Sequence, residues 1–224
     1  MLFQKNENEK KRMRKTMRKR TISLAAVMFC FALAGSATAA TYSFDYPGGP
    51  LAITEGDWVY ADLTIGGDLG AITDINVFVD IEHTWMADLD IYVAHQEQGG
   101  SSWKWVQLYN QDGDSRDNMT SVLFDDQAAA SISGAVAPYG PGSFRPTSLP
   151  EAGESNLLSD YNGDLAAGIW SLVLFDNFSG DTGALHQFRI EFETQQNPVP
   201  LPGAIVLFGS GLGAVAGLRR LRQK

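Results

Sequence analysis

Between Ile72 and Asp126 apolar residues recur at every second position, at Ile75, Val77, Val79 and Ile81 and, after a break, at Leu89, Ile91 and Val93. Period two over that length predicts strands with one buried face. The same alternation marks Tyr42, Phe44 and Tyr46, then Val59, Ala61, Leu63 and Ile65, and near the end Ala184, His186, Phe188, Ile190 and Phe192. Gly168 to Asp176 is almost continuously apolar, the pattern of a strand covered on both faces. Turn chemistry separates these runs, at Pro47 to Pro50 and at Gly66-Gly67-Asp68. Helical periodicity is missing between Thr41 and Thr194, so the expectation is an all-β sandwich.

Where the strand pattern breaks, polar side chains gather, most of them oxygen-bearing: His83, Thr84, Asp88, Asp112, Asp114, Asp117, Asn118, Asp125 and Asp126. The strands read as scaffold and the breaks as the site. Calcium takes six to eight oxygen ligands, and crowded carboxylates repel unless a cation, a proton or distance relieves them. Asn110, Asp112 and Asp114 alternate as in a calcium loop, but Ser115 replaces the required glycine and Ser121 the closing glutamate, so this is not an EF-hand. Asp160, Asn162 and Asp164 fail the same test. A calcium site assembled from several loops is the expectation, with Asp88, Asp117, Asp125, Asp126 and Asp181 as ligands. The other reading of these acids is a set of turn formers on a solvated surface.

Charge sharpens that picture. Of 17 Lys and Arg, nine lie in residues 1–20 and four in residues 219–224. The region between keeps Lys104, Arg116, Arg145 and Arg189 against 24 acidic residues, a formal charge of −20 concealed by the overall −9. So acidic a module would repel nucleic acid and attract cations.

The two ends read as delivery segments. A basic stretch ending in Arg18-Lys19-Arg20, an apolar run from Ile22 to Leu33 and Ala37-Thr38-Ala39 have the form of a secretory signal peptide over residues 1–40, with cleavage after Ala39 or Ala40. Cys30, the one cysteine, lies within it, so the mature chain has no disulfide. The other end, residues 195–224, is a linker followed by Val199-Pro200-Leu201-Pro202, an apolar run over 203–218, expected to be a hydrophobic helix, and Arg219, Arg220 and Arg222. This tail resembles the PEP-CTERM sorting signal in its Val-Pro-Leu-Pro variant. The resemblance implies an exosortase-type processing enzyme of a Gram-negative bacterium, transient membrane association, then release to the cell surface or exterior. An ordinary tail anchor is the alternative.

Catalysis finds little footing. No Gly-x-Ser-x-Gly turn, no His-Glu-x-x-His pair and no mature cysteine is present. Trp103, Trp105 and Tyr109 fall on one side of a strand, either as a sugar-stacking platform or, more ordinarily, as a packed aromatic row.

Several motifs recur in one order: His-Thr-Trp-x-x-Asp-Leu at 83–89, Asp117-Asn118, Phe-Asp-Asp-x-Ala at 124–128, Phe144-Arg145-Pro146, Gly-Ile-Trp-Ser-Leu-Val-Leu-Phe-Asp at 168–176 and Asp-Thr-Gly-Ala-Leu at 181–185. Together they resemble the P domain, or homo B domain, that follows the catalytic domain of kexin- and furin-like proprotein convertases. Residues 41–194 carry the likeness. It departs at Gln96 to Ser102, where the family usually has a Ser-Pro-x-Gly turn, and at Phe188, where a Trp is common. The resemblance implies a jelly roll of about eight strands and a non-catalytic module, because the family's triad belongs to a domain this sequence does not contain. The implied partner is an exported protein or extracellular polysaccharide. The alternatives are an accessory domain of a separate secreted subtilisin-like serine protease and a carbohydrate-binding jelly roll.

Overall fold

The computed structural model describes residues 39–112 and 117–195. Ten strands lie in those residues, in two sheets, rather than about eight: β1 (Ala39–Asp45), β2 (Leu51–Ile53), β3 (Trp58–Ile65), β4 (Ala71–His83), β5 (Leu89–Glu97), β6 (Lys104–Asn110), β7 (Met119–Phe124), β8 (Gly142–Phe144), β9 (Gly168–Asp176) and β10 (Gly183–Gln195). Among these residues helix is confined to two short 3-10 turns, Met86–Asp88 and Leu158–Tyr161. One sheet runs β1-β10-β4-β7-β8, with β2 also on β10, and the other runs β3-β9-β5-β6. All ladders are antiparallel except β7 with β8. The signal peptide's hydrophobic run, the sorting motif and the C-terminal apolar segment lie outside the described residues. Within the described residues no helix is long and apolar enough to cross a membrane.

The alternation read from sequence becomes burial. β3 is strictly exposed-buried along its length, and Val59, Ala61, Leu63 and Ile65 face the other sheet. Against them pack Val77, Val79 and Ile81 of β4, Ile91 and Val93 of β5, and Phe188, Ile190 and Phe192 of β10. Phe188 is buried, so an aromatic ring at that position keeps the core filled. Trp170 is its largest side chain, enclosed by Tyr161 and His95 with ring centroids 5.0 and 3.9 Å away.

Two bulges reset the pattern. In β6 the partner of Ile91 is Tyr109 but that of Tyr92 is Gln107, so Leu108 and Tyr109 both turn into the core. Tyr109 therefore leaves the face that Trp105 occupies, and the row Trp103, Trp105, Tyr109 does not form. In β10 a shift between Leu185 and Gln187 sends Leu185 inward and leaves His186 exposed beside Glu82, 3.1 Å from its carboxylate.

Candidate functional site

Two crossings between the sheets lie side by side. β4 ends at His83 and the chain passes through Met86–Asp88 into β5 of the other sheet. β9 ends at Asp176 and returns through 177–182 to β10. Because Gly183 pairs with His83 and Leu89 with Asp176, both crossings sit at the same end of the sandwich.

His83 and Asp176 join them. Both side chains are fully buried, and His83 Nε2 lies 3.4 Å from Asp176 Oδ2. His83 Nδ1 lies 3.0 Å from the Trp85 carbonyl oxygen and 3.2 Å from the Trp85 backbone nitrogen, so the Trp85 backbone engages one ring nitrogen and Asp176 the other. Neither ring nitrogen is left over to activate a hydroxyl, as a nucleophile–base pair would require. Asn118, in a left-handed conformation with φ 68°, exchanges two hydrogen bonds with His83: its Oδ1 accepts from the His83 N–H, and its own N–H donates to the His83 carbonyl, both at 3.0 Å. Gly183 is obligatory here. A Cβ on it would press into the His83 ring and come 2.6 Å from the Glu82 carbonyl oxygen.

Asp88 and Asp181 form the polar rim of this joint. Burial, then a hydrogen bond to Asp181 and the charges of Asp181 and Asp176, raise the Asp88 carboxyl above its ordinary range, with His83 opposing. Such a pair holds one proton between two carboxylates, or takes a cation in its place. Thr84 Oγ1 donates to Asp181 at 2.9 Å and accepts from the Thr182 N–H at 3.2 Å, which fixes the second crossing against the first. Asn177 closes the other side: its N–H and Nδ2 donate to the Asp88 carbonyl, and Nδ2 also to Asp90 at 2.7 Å.

The five carboxylates expected to share a calcium ion are divided by the fold. Asp88 and Asp181 meet. Asp117 precedes the Asn118 that grips His83 and is exposed. Asp125 and Asp126 lie elsewhere, since Phe124 pairs with Val77, six residues before His83 on β4, about 20 Å along the strand. Asp125 accepts from the Gln127 N–H in a local turn, and Asp126 caps the Leu158–Tyr161 turn by accepting from the N–H groups of Leu158 and Ser159. Among the described residues no three His, Asp or Glu side chains are grouped to hold a metal ion. The sequence places His83 at the break where the candidate site lies but does not single out Asp176 as its partner. The signal available was that His83 opens one motif and Asp176 closes another, each at the edge of an apolar run.

Of the signal-cleavage residues, Ala39 and Ala40 open β1 opposite Gln195 and Thr194; Ala37 lies outside the described residues.

No family profile matches the chain, and no curated protein matches it. Among solved structures the chain is similar to the serine protease of Aeromonas sobria, with TM-score 0.39 and 15% identity, over 71% of this chain and 27% of that one. It is similar also to a structure of that serine protease in complex with its chaperone, ORF2, with TM-score 0.38 and 13% identity, over 72% of this chain and 28% of that one. The chain thus spans less than a third of the length of either.

Proposed function

We propose that this chain is a non-catalytic, exported module of the P domain type, a jelly roll that binds and stabilises a separate secreted protein, foremost a subtilisin-like serine protease. The observation that carries the reading is convergence. The motifs at 83–89, 117–118, 168–176 and 181–185, spread over a hundred residues, come together in one joint between the sheets through His83, Asp88, Asn118, Asp176 and Asp181. These motif residues serve to fasten the sandwich. In this reading residues 1–40 direct export, Val199 to Pro202 with Arg219, Arg220 and Arg222 form the exosortase signal, and the module ends at the cell surface or outside the cell.

The test is co-expression of the full chain with a subtilisin-type catalytic domain from the same genome. A complex on size-exclusion chromatography and a longer protease half-life on heating are expected, with no turnover of casein by the chain alone. Independent elution and an unchanged half-life would sink the proposal.

Calcium belongs to the proposal at the Asp88–Asp181 pair alone. Two carboxylates fall short of calcium's coordination number, and carbonyls and water would supply the rest. A ligand confined to the folded state raises its melting temperature. A midpoint several degrees higher in millimolar calcium than in chelator is expected, and identical melts would remove the metal.

A further inference from the structure

The face of the four-stranded sheet turned away from the core carries a connected run of aromatic rings. Trp58 packs on Phe175, its register partner in β9, with centroids 4.7 Å apart, and on Tyr92 at 6.2 Å. Tyr92 meets Trp105 at 6.2 Å, and Trp105 meets Trp103 at 6.5 Å. The run crosses the sheet from edge strand β3 to edge strand β6. Trp58, Tyr60 and Trp103 are 49, 51 and 40% exposed, a concentration of large apolar side chains in water that monomeric domains rarely keep without use.

Tyr92 anchors the middle. Gln107 Nε2 donates to its hydroxyl at 3.0 Å, and Gln107 is itself held by the Glu151 N–H and the Ser155 carbonyl. The rings are thus set in place before any ligand arrives.

The polar groups around them are of one sign. Asp62 shares the outward register with Trp58 and Tyr60. Burial, then the charge of Asp90, the charge of and a hydrogen bond to Glu151, and the charge of Glu154 push the Tyr92 phenol up. The three described Lys and Arg side chains are each engaged by other groups, and of them Lys104 alone lines the cavity beside Trp103. Lys104 sits on Asp164, Arg145 on the Ala128 and Ala129 carbonyls, and Arg189 on Glu191 and over the Phe78 ring. Beneath the aromatic layer, Asp90 Oδ1 and Ser171 Oγ are buried without a hydrogen-bond partner.

We propose that this aromatic face binds a glycan of amino-bearing pyranose units, a partly de-N-acetylated hexosamine polymer. The exposed rings of Trp58, Tyr60 and Trp103, with Tyr92 buried beneath and edge-on to Trp105, offer apolar surface to the C–H faces of sugars. Protonated amines meet the carboxylates of Asp62, Glu151 and Glu154 and the faces of Trp58 and Tyr60, where a cation is attracted by the ring quadrupole. Acidic polysaccharides are repelled by the same carboxylates. At its β6 end the run reaches a cavity of about 470 Å³ that Trp103 walls together with His95, Glu97, Ser101, Lys104 and Asp164, where Glu97 and Ser101 offer carboxylate and hydroxyl partners to a chain end and Lys104 is neutralised by Asp164. This surface is distinct from the His83–Asp176 joint, and its assignment does not depend on the protease-associated reading.

The experiment is calorimetric titration of the full chain with chitosan oligosaccharides at mildly acidic pH, where their amines are charged. Binding is expected to weaken at least tenfold in Trp103→Ala/Trp105→Ala. In Asp62→Asn/Glu151→Gln, two exposed positions whose amides keep the size of the side chains they replace, it should weaken severalfold and lose much of its salt dependence. Absence of binding, or unchanged affinity in both variants, would overturn the proposal. Equal affinity for uncharged cello-oligosaccharides would overturn the role given to the amine. Equal affinity for polylysine, lost in the same tryptophan variant, would assign the face to basic protein instead.

Discussion

A buried histidine stands at each end of the sandwich, His83 closing β4 and His95 in β5, and the two are treated in opposite ways. At the crossing end His83 is shared between sheets: Asp176 binds one ring nitrogen and the Trp85 backbone the other. At the far end His95 lies flat on Trp170 with its Nε2 unpartnered, and burial lowers its pKa to about 4. The first histidine is a fastener, whose loss strands a carboxylate inside the protein. The second is a plate in an aromatic stack, tolerated as long as it stays neutral. The same side chain thus contributes hydrogen bonding in one setting and ring surface in the other, and only the partners tell them apart.

That contrast can be broken most severely through Asp176→Ala. Removing one member of a buried polar pair should cost about 3–5 kcal/mol, read as a large drop in the urea midpoint. Asp176→Asn, which retains an acceptor, should recover part of it. A loss below 1 kcal/mol for the alanine variant would mean the two sheets are not fastened there.

The far end should announce itself by pH. The folded protein holds His95 neutral, so the unfolded chain binds more protons between pH 6.5 and about 4. The stability His95 contributes is complete above pH 6.5 and falls as pH drops through that window, by up to about 3 kcal/mol. His95→Gln should flatten the slope of melting temperature against pH. Asp88 and Asp90, both raised by burial, act with the opposite sign, since their folded forms take up protons more readily than the unfolded chain. They soften the acid loss without reversing it.

Gly183→Ala drives a methyl group against the His83 ring and the Glu82 carbonyl. About 1–3 kcal/mol of destabilisation is expected from such overpacking, and a full-strength melt would show that the crossings can separate. The smallest effect is Asp88→Asn in chelator. Relief of the repulsion with Asp181 and Asp176 should raise stability at neutral pH by no more than about 1 kcal/mol, and the gain should vanish in acid, where Asp88 is already protonated.

The long strands were legible because their period of two is uninterrupted: β3, β4 and β10 appear where Val59 to Ile65, Ile75 to Ile81 and Phe188 to Phe192 alternate. β7 was hidden. Asn118 and Ser121 adopt positive φ within or beside it, and a register shift against β4 between Val79 and Ile81 breaks the alternation that would have marked it. Tyr109 was misplaced for a related reason, since a bulge adds one residue and turns the next ring to the other side. The joint was half legible. Asp88 and Asp181 stood out as acids in recurring motifs, but His83 and Asp176 are 93 residues apart and meet only because two crossings lie next to each other. Asp125 and Asp126 show the limit of reading chemistry from composition: their oxygens are spent on backbone N–H groups of a turn and of a 3-10 cap.

Ala39 and Gln195 are register partners on β1 and β10. The polypeptide accordingly enters and leaves the sandwich at a single corner, on the side remote from the His83 joint. A short linker joining those two residues would make the fold a closed ring, and fresh termini opened at Gly66 or Gly67 should yield a circular permutant with the same pairings. Any tether attached beyond Gln195 would grip the molecule by that corner and present the fastened end outward.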